Sequence, residues 1–432
     1  MFPANCVSDS ANVSRIWHEE AKANAMIAEA EDILFPAQRE HSQVAIVYPR
    51  SSEMWDEWHT ELAAGMCMCC CVSSMVSRYI EYTVEACKCR RYLWERKHAS
   101  SSGCTDGLYL ALATDSNIPV DFIVRGIPLI GPRGFCVLTS RVCLPQDEDA
   151  LEEPEVLGRY KLILLTEPDV PSAGMAGLLA WAESGGTLVA VSGAGSGDEY
   201  NTPSSALSAA AMVTEPPRKR LVFNGDDTIA AGTKGTTVLW GPFTAPAGTY
   251  SGLTPTATSV KTLGAYEDGT PAITRTELGS GTGSIIRFGW LPGVAYWFSH
   301  AATTPPTPVG RDDSNGGNRP RSDDMRHIIA DLAKIAGVEP PVVASATHVE
   351  TPLLLTPDKT AAVVTLLNFR PGIPVPPVSA LKLNVTLPFL PSKAESVEHG
   401  KLSFTAKSDG EKHVVSLTVP ELEFGDFIKF RT

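Results

Sequence analysis

The chain has 432 residues, of which 43% are hydrophobic and 20% charged, a balance that excludes a disordered or collagen-like polymer. At roughly 150 residues per domain, more than one folded domain is expected. Lys and Arg total 36 against 49 Asp and Glu, so the formal net charge is −13. A surface this acidic is unsuited to a phosphate backbone or an anionic membrane, and neither nucleic acid nor membrane is expected as a partner.

No apolar run approaches the roughly 20 residues needed to span a bilayer. The first residues, MFPANCVSDSANVSRIWHEE, lack the basic and apolar regions of a secretory signal, which favours a cytoplasmic location. Seven of the ten cysteines lie between Cys67 and Cys104, too local for a disulfide framework. A thiolate zinc site from Cys67, Cys70, Cys87 and Cys89 is conceivable, but Cys-x-Cys is poor zinc spacing, so no metal and no cofactor is expected.

In chain order, the Ala- and Glu-rich stretch 14–38 places Ile16, Ala23, Ile27, Ala30 and Ile33 at helical spacing, and Pro36 stops the pattern. This predicts a linking helix within residues 1–40 that feeds the next domain. QVAIVYP (43–49) reads as a first strand, and Val72–Ala86 as a helix. IPVDFI (118–123) and YKLILLT (160–166) are the second and third strands. Residues 175–186 form a helix ended by Gly185 and Gly186, and TLVAVSG (187–193) is the fourth strand. Near-continuous apolar strands alternating with helices predict a parallel sheet covered on both faces.

Two segments look like non-core inserts, either surface excursions or translated intron sequence. The first, residues 87–106, is basic and Cys-rich, and without it Leu108 would follow Val84 by one helical turn. The second is residues 124–146. Residues 205–258 read as irregular with short strands, 259–290 as a strand meander, 300–322 as a Pro/Gly/Asn loop and 323–338 as a helix with Asp at its start. Beyond this, short alternating strands such as ALKLNVTL predict a β-sandwich. The expected organisation is therefore a linking helix over 1–40, an α/β domain over 41–345 and a sandwich over 346–432.

In an open parallel sheet, ligands sit beyond the carboxyl ends of the strands. That rim collects Tyr48, Arg50, Glu53 and Trp55, then Asp121, Thr166, Glu167 and Asp169, then Ser192 to Tyr200, and finally Trp290, Pro292, Tyr296 and Trp297. Glu53, Glu167, Asp198 and Glu199 are candidate carboxylates for glycoside hydrolysis, in which one protonates the leaving oxygen and another attacks or activates water. The competing reading makes them caps and turn residues. Trp55, Trp290 and Trp297 are candidate sugar-stacking aromatics or, alternatively, core. SGAGSG lacks a following Lys-Ser/Thr and is trailed by Asp198 and Glu199, which argues against a nucleotide.

The third and fourth strands with their intervening helix resemble the class I glutamine amidotransferase fold, which carries a nucleophilic cysteine on a tight turn after a strand. Here that turn reads Val191-Ser192-Gly193-Ala194-Gly195. Ser192 is a substitute nucleophile with His300 or His327 as base, or else the elbow has lapsed. QVAIVYPRSSEMWD, GLYLALATDSNIPVDFI, YKLILLTEPDVPSAGMAGLLAWAESGGTLVAVSGAG and AYEDGTPAITRTELGSG together resemble the β-galactosidase trimerisation domain, the amidotransferase-like (flavodoxin-like) middle domain of glycoside hydrolase family 42 enzymes. The resemblance spans roughly residues 40–340 without the two inserts and implies a non-catalytic role. In that family the catalytic glutamates belong to a (β/α)8 barrel, which the residues before the first strand are too few to form. Oligomerisation, or association with carbohydrate or a barrel-bearing hydrolase chain, is what the resemblance implies; a hydrolase in its own right is the alternative.

Overall fold

A computed structural model describes residues 15–47, 101–123, 148–216, 236–238, 241–243, 251–266, 269–279, 281–298, 323–370 and 375–432. The predicted helix at Val72–Ala86, the insert 124–146, the loop 300–322 and the four cysteines of the zinc reading lie outside these residues.

The chain opens with α1 (Arg15–Leu34) and the short strand β1 (Gln38–Arg39). Both dock on the C-terminal domain rather than feeding the next one. Ile33 packs with Ala361 and Val363, Lys22 pairs with Glu398 at 3.0 Å, and β1 runs antiparallel to a C-terminal strand through Gln38 and Arg39.

The first large sheet takes β2 (Val44–Val47), β3 (Asp121–Ile123), β4 (Leu162–Leu165) and β5 (Thr187–Ala190). Between them lie the helices α2 (Ser101–Tyr109), α3 (Pro154–Leu157) and α4 (Ser172–Glu183). Every residue of β2, β4 and β5 is buried, as expected of strands covered on both faces. After β5 come α5 (Ala206–Ala211) and the short strands β6 (Val213–Thr214), β7 (Thr236–Val238), β8 (Gly241–Phe243) and β9 (Thr254–Pro255). The region closes with β10 (Lys261–Tyr266), β11 (Pro271–Leu278), β12 (Gly283–Phe288), α6 (Pro292–Phe298) and α7 (Asp323–Ile335).

The sheet order is β3-β2-β4-β5-β12-β11-β10-β7-β8. Pairing is parallel from β3 through β12 and antiparallel from β12 through β8. The sheet is thus mixed, which corrects the expectation of a parallel sheet followed by a separate meander. Strand β12 has β5 on one side and β11 on the other, so the meander continues the parallel sheet.

The first predicted insert also needs correction at its end. Residues from Ser101 onward form α2, and Cys104 and Thr105 are buried, Cys104 within the α/β core. Gly107 and Gly293 explain how tightly this helix is held. A Cβ on Gly107 would lie 1.9 Å from the Gly293 carbonyl oxygen, and one on Gly293 would lie 1.8 Å from that of Cys104. The backbones of α2 and α6 therefore touch, which only glycine allows at these positions.

The C-terminal domain is all antiparallel. It contains β13 (Val342–Ala344), β14 (Val349–Glu350), β15 (Leu353–Leu355), β16 (Ala361–Asn368), β17 (Val378–Leu387), β18 (Lys393–Ser396), β19 (Gly400–Lys401), β20 (Phe404–Asp409), β21 (Lys412–Leu422) and β22 (Gly425–Arg431). These form one sheet of order β1-β15-β16-β22-β18-β19, with β14 on β16, and another of order β13-β17-β21-β20. In β17, Leu381, Leu383, Val385 and Leu387 face a shared core while the residues between them are more exposed, as the alternation predicted. Val338 belongs to the α/β core and Val342 to the sandwich core, so the junction precedes the expected boundary at 345/346.

Candidate functional site

The carboxyl ends of β4, β5 and β12 lie side by side, and the loops leaving them are joined by backbone hydrogen bonds. Val191 N–H donates to Leu165 O at 3.1 Å, Ser192 N–H to Trp290 O at 3.2 Å and Gly195 N–H to Glu167 O at 2.9 Å. Gly193 and Gly195 turn the chain after β5 with φ of 76° and 64°, left-handed values that glycine adopts without penalty. At Gly195 a Cβ would also meet the Met175 side chain at 2.6 Å.

Ser192 is 1% exposed. Its hydroxyl donates to Glu215 Oε1. The other oxygen of Glu215 accepts from the Gly193 N–H at 3.3 Å and pairs with Arg287 Nη2 at 2.7 Å. Side-chain exposure is 3% for Arg287 and 7% for Glu215, so this is a buried ion pair in which a serine hydroxyl and a backbone amide supply further bonds. Neither histidine proposed as a base joins it in the described residues: His327 is exposed on α7 beside Arg326 Nη2 at 3.2 Å, and His300 lies outside the described residues.

Glu215 and Arg287 were not singled out from the sequence. Glu215 sits in a Thr-Glu-Pro-Pro stretch with no periodic pattern. Arg287 did leave a signal: it is a lone charge inside the apolar run Ile285–Trp290, and a charge in a buried strand requires a partner.

Among the described residues, the predicted rim carboxylates Glu167, Asp198 and Glu199 each have structural partners. Glu167 is buried and accepts from the Thr166 hydroxyl at 3.3 Å, and Thr166 Oγ1 lies 2.8 Å from Thr105 Oγ1 on α2. Asp169 is buried beside Gly197, where a Cβ would stand 2.3 Å from Asp169 Oδ1. Asp198 Oδ1 accepts from the Thr202 and Tyr200 N–H groups at 2.8 and 2.9 Å, closing a turn. The Thr202 N–H is the main reason its carboxyl is held below the usual value of 3.8. Glu199 Oε2 accepts from the Ser172 N–H at 2.9 Å, placing a carboxylate at the first residue of α4 where the helix dipole favours negative charge. Asp121 accepts from Ser42 N–H at 3.0 Å and faces Arg39 at 3.6 Å.

Of the aromatics, Trp290 is buried edge-on to Phe288, with centroids 5.0 Å apart, and to Tyr266 at 6.4 Å. Tyr296 is fully buried and donates its hydroxyl to Asp115. Pro292 begins α6, which also carries Trp297. Tyr200 is 74% exposed on the rim. Tyr48, Arg50, Glu53 and Trp55 lie outside the described residues. Among the described residues no three His, Cys, Asp or Glu side chains group as metal ligands, and no described helix is long and apolar enough to cross a membrane.

No protein-family model matches the sequence, and no curated protein does. Solved structures do match. Gan42B, a GH42 β-galactosidase, superposes with a TM-score of 0.54 at 14% identity over 99% of this chain and 45% of its own. The β-galactosidase from Bacillus circulans sp. alkalophilus gives 0.54 at 15% identity over 99% and 46%. The chain is similar in fold to part of a GH42 β-galactosidase. It spans less than half the length of those enzymes. An α-L-fucosidase, isoenzyme 2 from Paenibacillus thiaminolyticus, gives 0.52 at 12% identity over 98% of this chain and 54% of its own. At these identities the likeness shows the fold alone.

Proposed function

We propose that this chain is a non-catalytic, trimerisation-like part of a glycoside hydrolase system, acting in oligomerisation or in carbohydrate-associated assembly with a barrel-bearing hydrolase chain. The observation that carries the reading is the pair of coverages: nearly all of this chain, 99%, superposes on 45% of a GH42 β-galactosidase. Strand order supports an amidotransferase-like, flavodoxin-like core. The parallel strands β3-β2-β4-β5-β12 follow the 2-1-3-4-5 order of that doubly wound class when numbered along the chain. The rim groups support it too. Asp198 and Glu199 serve as turn and helix caps, and the Ser192 hydroxyl is bound to a carboxylate already paired with Arg287.

Light scattering on the purified chain, with a chromogenic galactoside assay on the same fractions, tests the proposal. The expected outcome is a mass above that of the monomer and no turnover. A monomer that hydrolyses the galactoside overturns the proposal in favour of the independent hydrolase, and Glu167 and Ser192 would then be the first positions to substitute.

A further inference from the structure

Three donors converge on Glu215: the Ser192 hydroxyl, the Gly193 N–H and Arg287 Nη2. They come from the turn after β5 and from β12, which are held together by the Ser192 to Trp290 backbone bond and by the pairing of Ala190 with Arg287. Glu215 lies just beyond β6, 72 residues from Arg287 in the chain. The donors therefore belong to β12 and the turn after β5, whereas the acceptor lies in the segment just after β6.

The donor set also exceeds what Glu215 uses. Among the described residues neither Nε nor Nη1 of Arg287 finds a hydrogen-bond partner, although the side chain is 3% exposed. Thr274, directly opposite Arg287 in the β11–β12 register, is 1% exposed, and its Oγ1 has no partner among the described residues. Residues opposite each other in an antiparallel pair share a face, so Thr274 and Arg287 lie on the same face of the sheet. Buried donors left unbonded cost free energy, and a guanidinium does so more than a neutral group. Such orphan groups mark a place where an acceptor belongs.

We propose that the β5 turn and β12 form a carboxylate-binding cradle, with Ser192, Gly193, Arg287 and Thr274 as its donors, and that Glu215 occupies it in this structure as the chain's own ligand. The class of ligand follows from the occupant and the donors. A guanidinium, a hydroxyl and a backbone N–H suit a planar anion with two oxygens, and in a water-poor site each such bond is charge-assisted. A carboxylate presented by another molecule would compete with Glu215 for the same donors. This inference concerns ligand binding and holds whether the chain acts as an assembly module or as a hydrolase.

The experiment is chemical rescue of Glu215→Ala with acetate, followed by thermal unfolding against sodium chloride at matched ionic strength. The expected result is a saturable rise of about 2–4 °C in Tm for Glu215→Ala, much less for the native chain, and none for the double variant Glu215→Ala with Arg287→Met. If Glu215→Ala is unfolded in chloride, acetate-dependent recovery of its circular dichroism is the same result in stronger form. The proposal is overturned if Glu215→Ala folds and is indifferent to acetate, stays unfolded at every acetate concentration, or responds equally with Arg287 replaced.

Discussion

Asp198 shows how a single residue invites two readings. An acidic side chain following SGAGSG at a strand's carboxyl end has the composition of a catalytic rim, and also that of an Asx turn, in which a short carboxylate accepts backbone N–H groups two and four residues on. The sequence left both readings open, and only the Thr202 and Tyr200 bonds show the second arrangement in place. Because the Thr202 N–H lowers the folded-state pKa, ionised Asp198 contributes stability that is present above the ordinary value of 3.8 and is lost as pH falls through the lowered folded value. Asp198→Asn keeps an acceptor oxygen and removes the charge. The variant is expected to have a lower urea midpoint than the native chain at pH 7. That gap should narrow below pH 3.8 and close once Asp198 is protonated in the folded native chain too. A gap unchanged across this range would show that the charge contributes nothing. Ser192 illustrates a different limit: its place on the turn was legible, but the partner of its hydroxyl was not, since Glu215 lies in a stretch with no pattern to mark it.

Elements were legible where the pattern is local and strong. Strands β2 and β4 are unbroken apolar runs, β5 is apolar after Thr187, and α7 has buried residues on one face and acidic residues in its first turn. What escaped was pairing over distance. Strand β12 joins β5 in parallel across an interval of about ninety residues, and nothing in GSIIRF distinguishes that partner from an antiparallel neighbour. The contact between α2 and α6 escaped for a related reason. Each glycine read alone looks like a helix weakness, costing about 1 kcal/mol relative to alanine, and only together do they explain each other. Gly107→Ala should therefore destabilise the fold despite alanine's better helix propensity. The added methyl meets backbone at 1.9 Å, so α2 and α6 must separate, at a cost of about 1–3 kcal/mol or more. Urea unfolding measures this directly. Gly269→Ala is the control, because nothing lies within 4 Å of a Cβ there; its loss should reflect only the left-handed backbone at φ 83°.

At the scale of the whole molecule, the sequence indicated an α/β domain followed by a β domain but gave no sign of what joins them. Besides Arg39 of β1, which reaches Asp121 and the Val120 carbonyl, further polar contacts cross the junction. Tyr109 Oη donates to Glu350 at 3.2 Å, and His348 Nδ1 lies 2.5 Å from Asp115 Oδ1. Asp115 follows the π-helical turn Leu110–Thr114 that continues α2, and it is fully buried with the Tyr296 hydroxyl on its other oxygen. His348 reaches it from just before β14 with φ of 60°, a left-handed value that costs a non-glycine residue and persists only where its surroundings hold it. These two partners of Asp115, among those it has, differ in kind: Tyr296 lies in the same domain, whereas His348 lies in the other. His348→Ala should remove a bond between domains and leave a buried carboxylate oxygen short of a donor, at a cost of about 1–3 kcal/mol. Tyr296→Phe should cost a similar amount within the α/β domain alone. In calorimetry, His348→Ala is expected to split or broaden the unfolding transition as the domains lose coupling, and Tyr296→Phe to lower Tm without splitting it. If both variants shift a single sharp transition equally, the His348–Asp115 contact is not what makes the two domains unfold together.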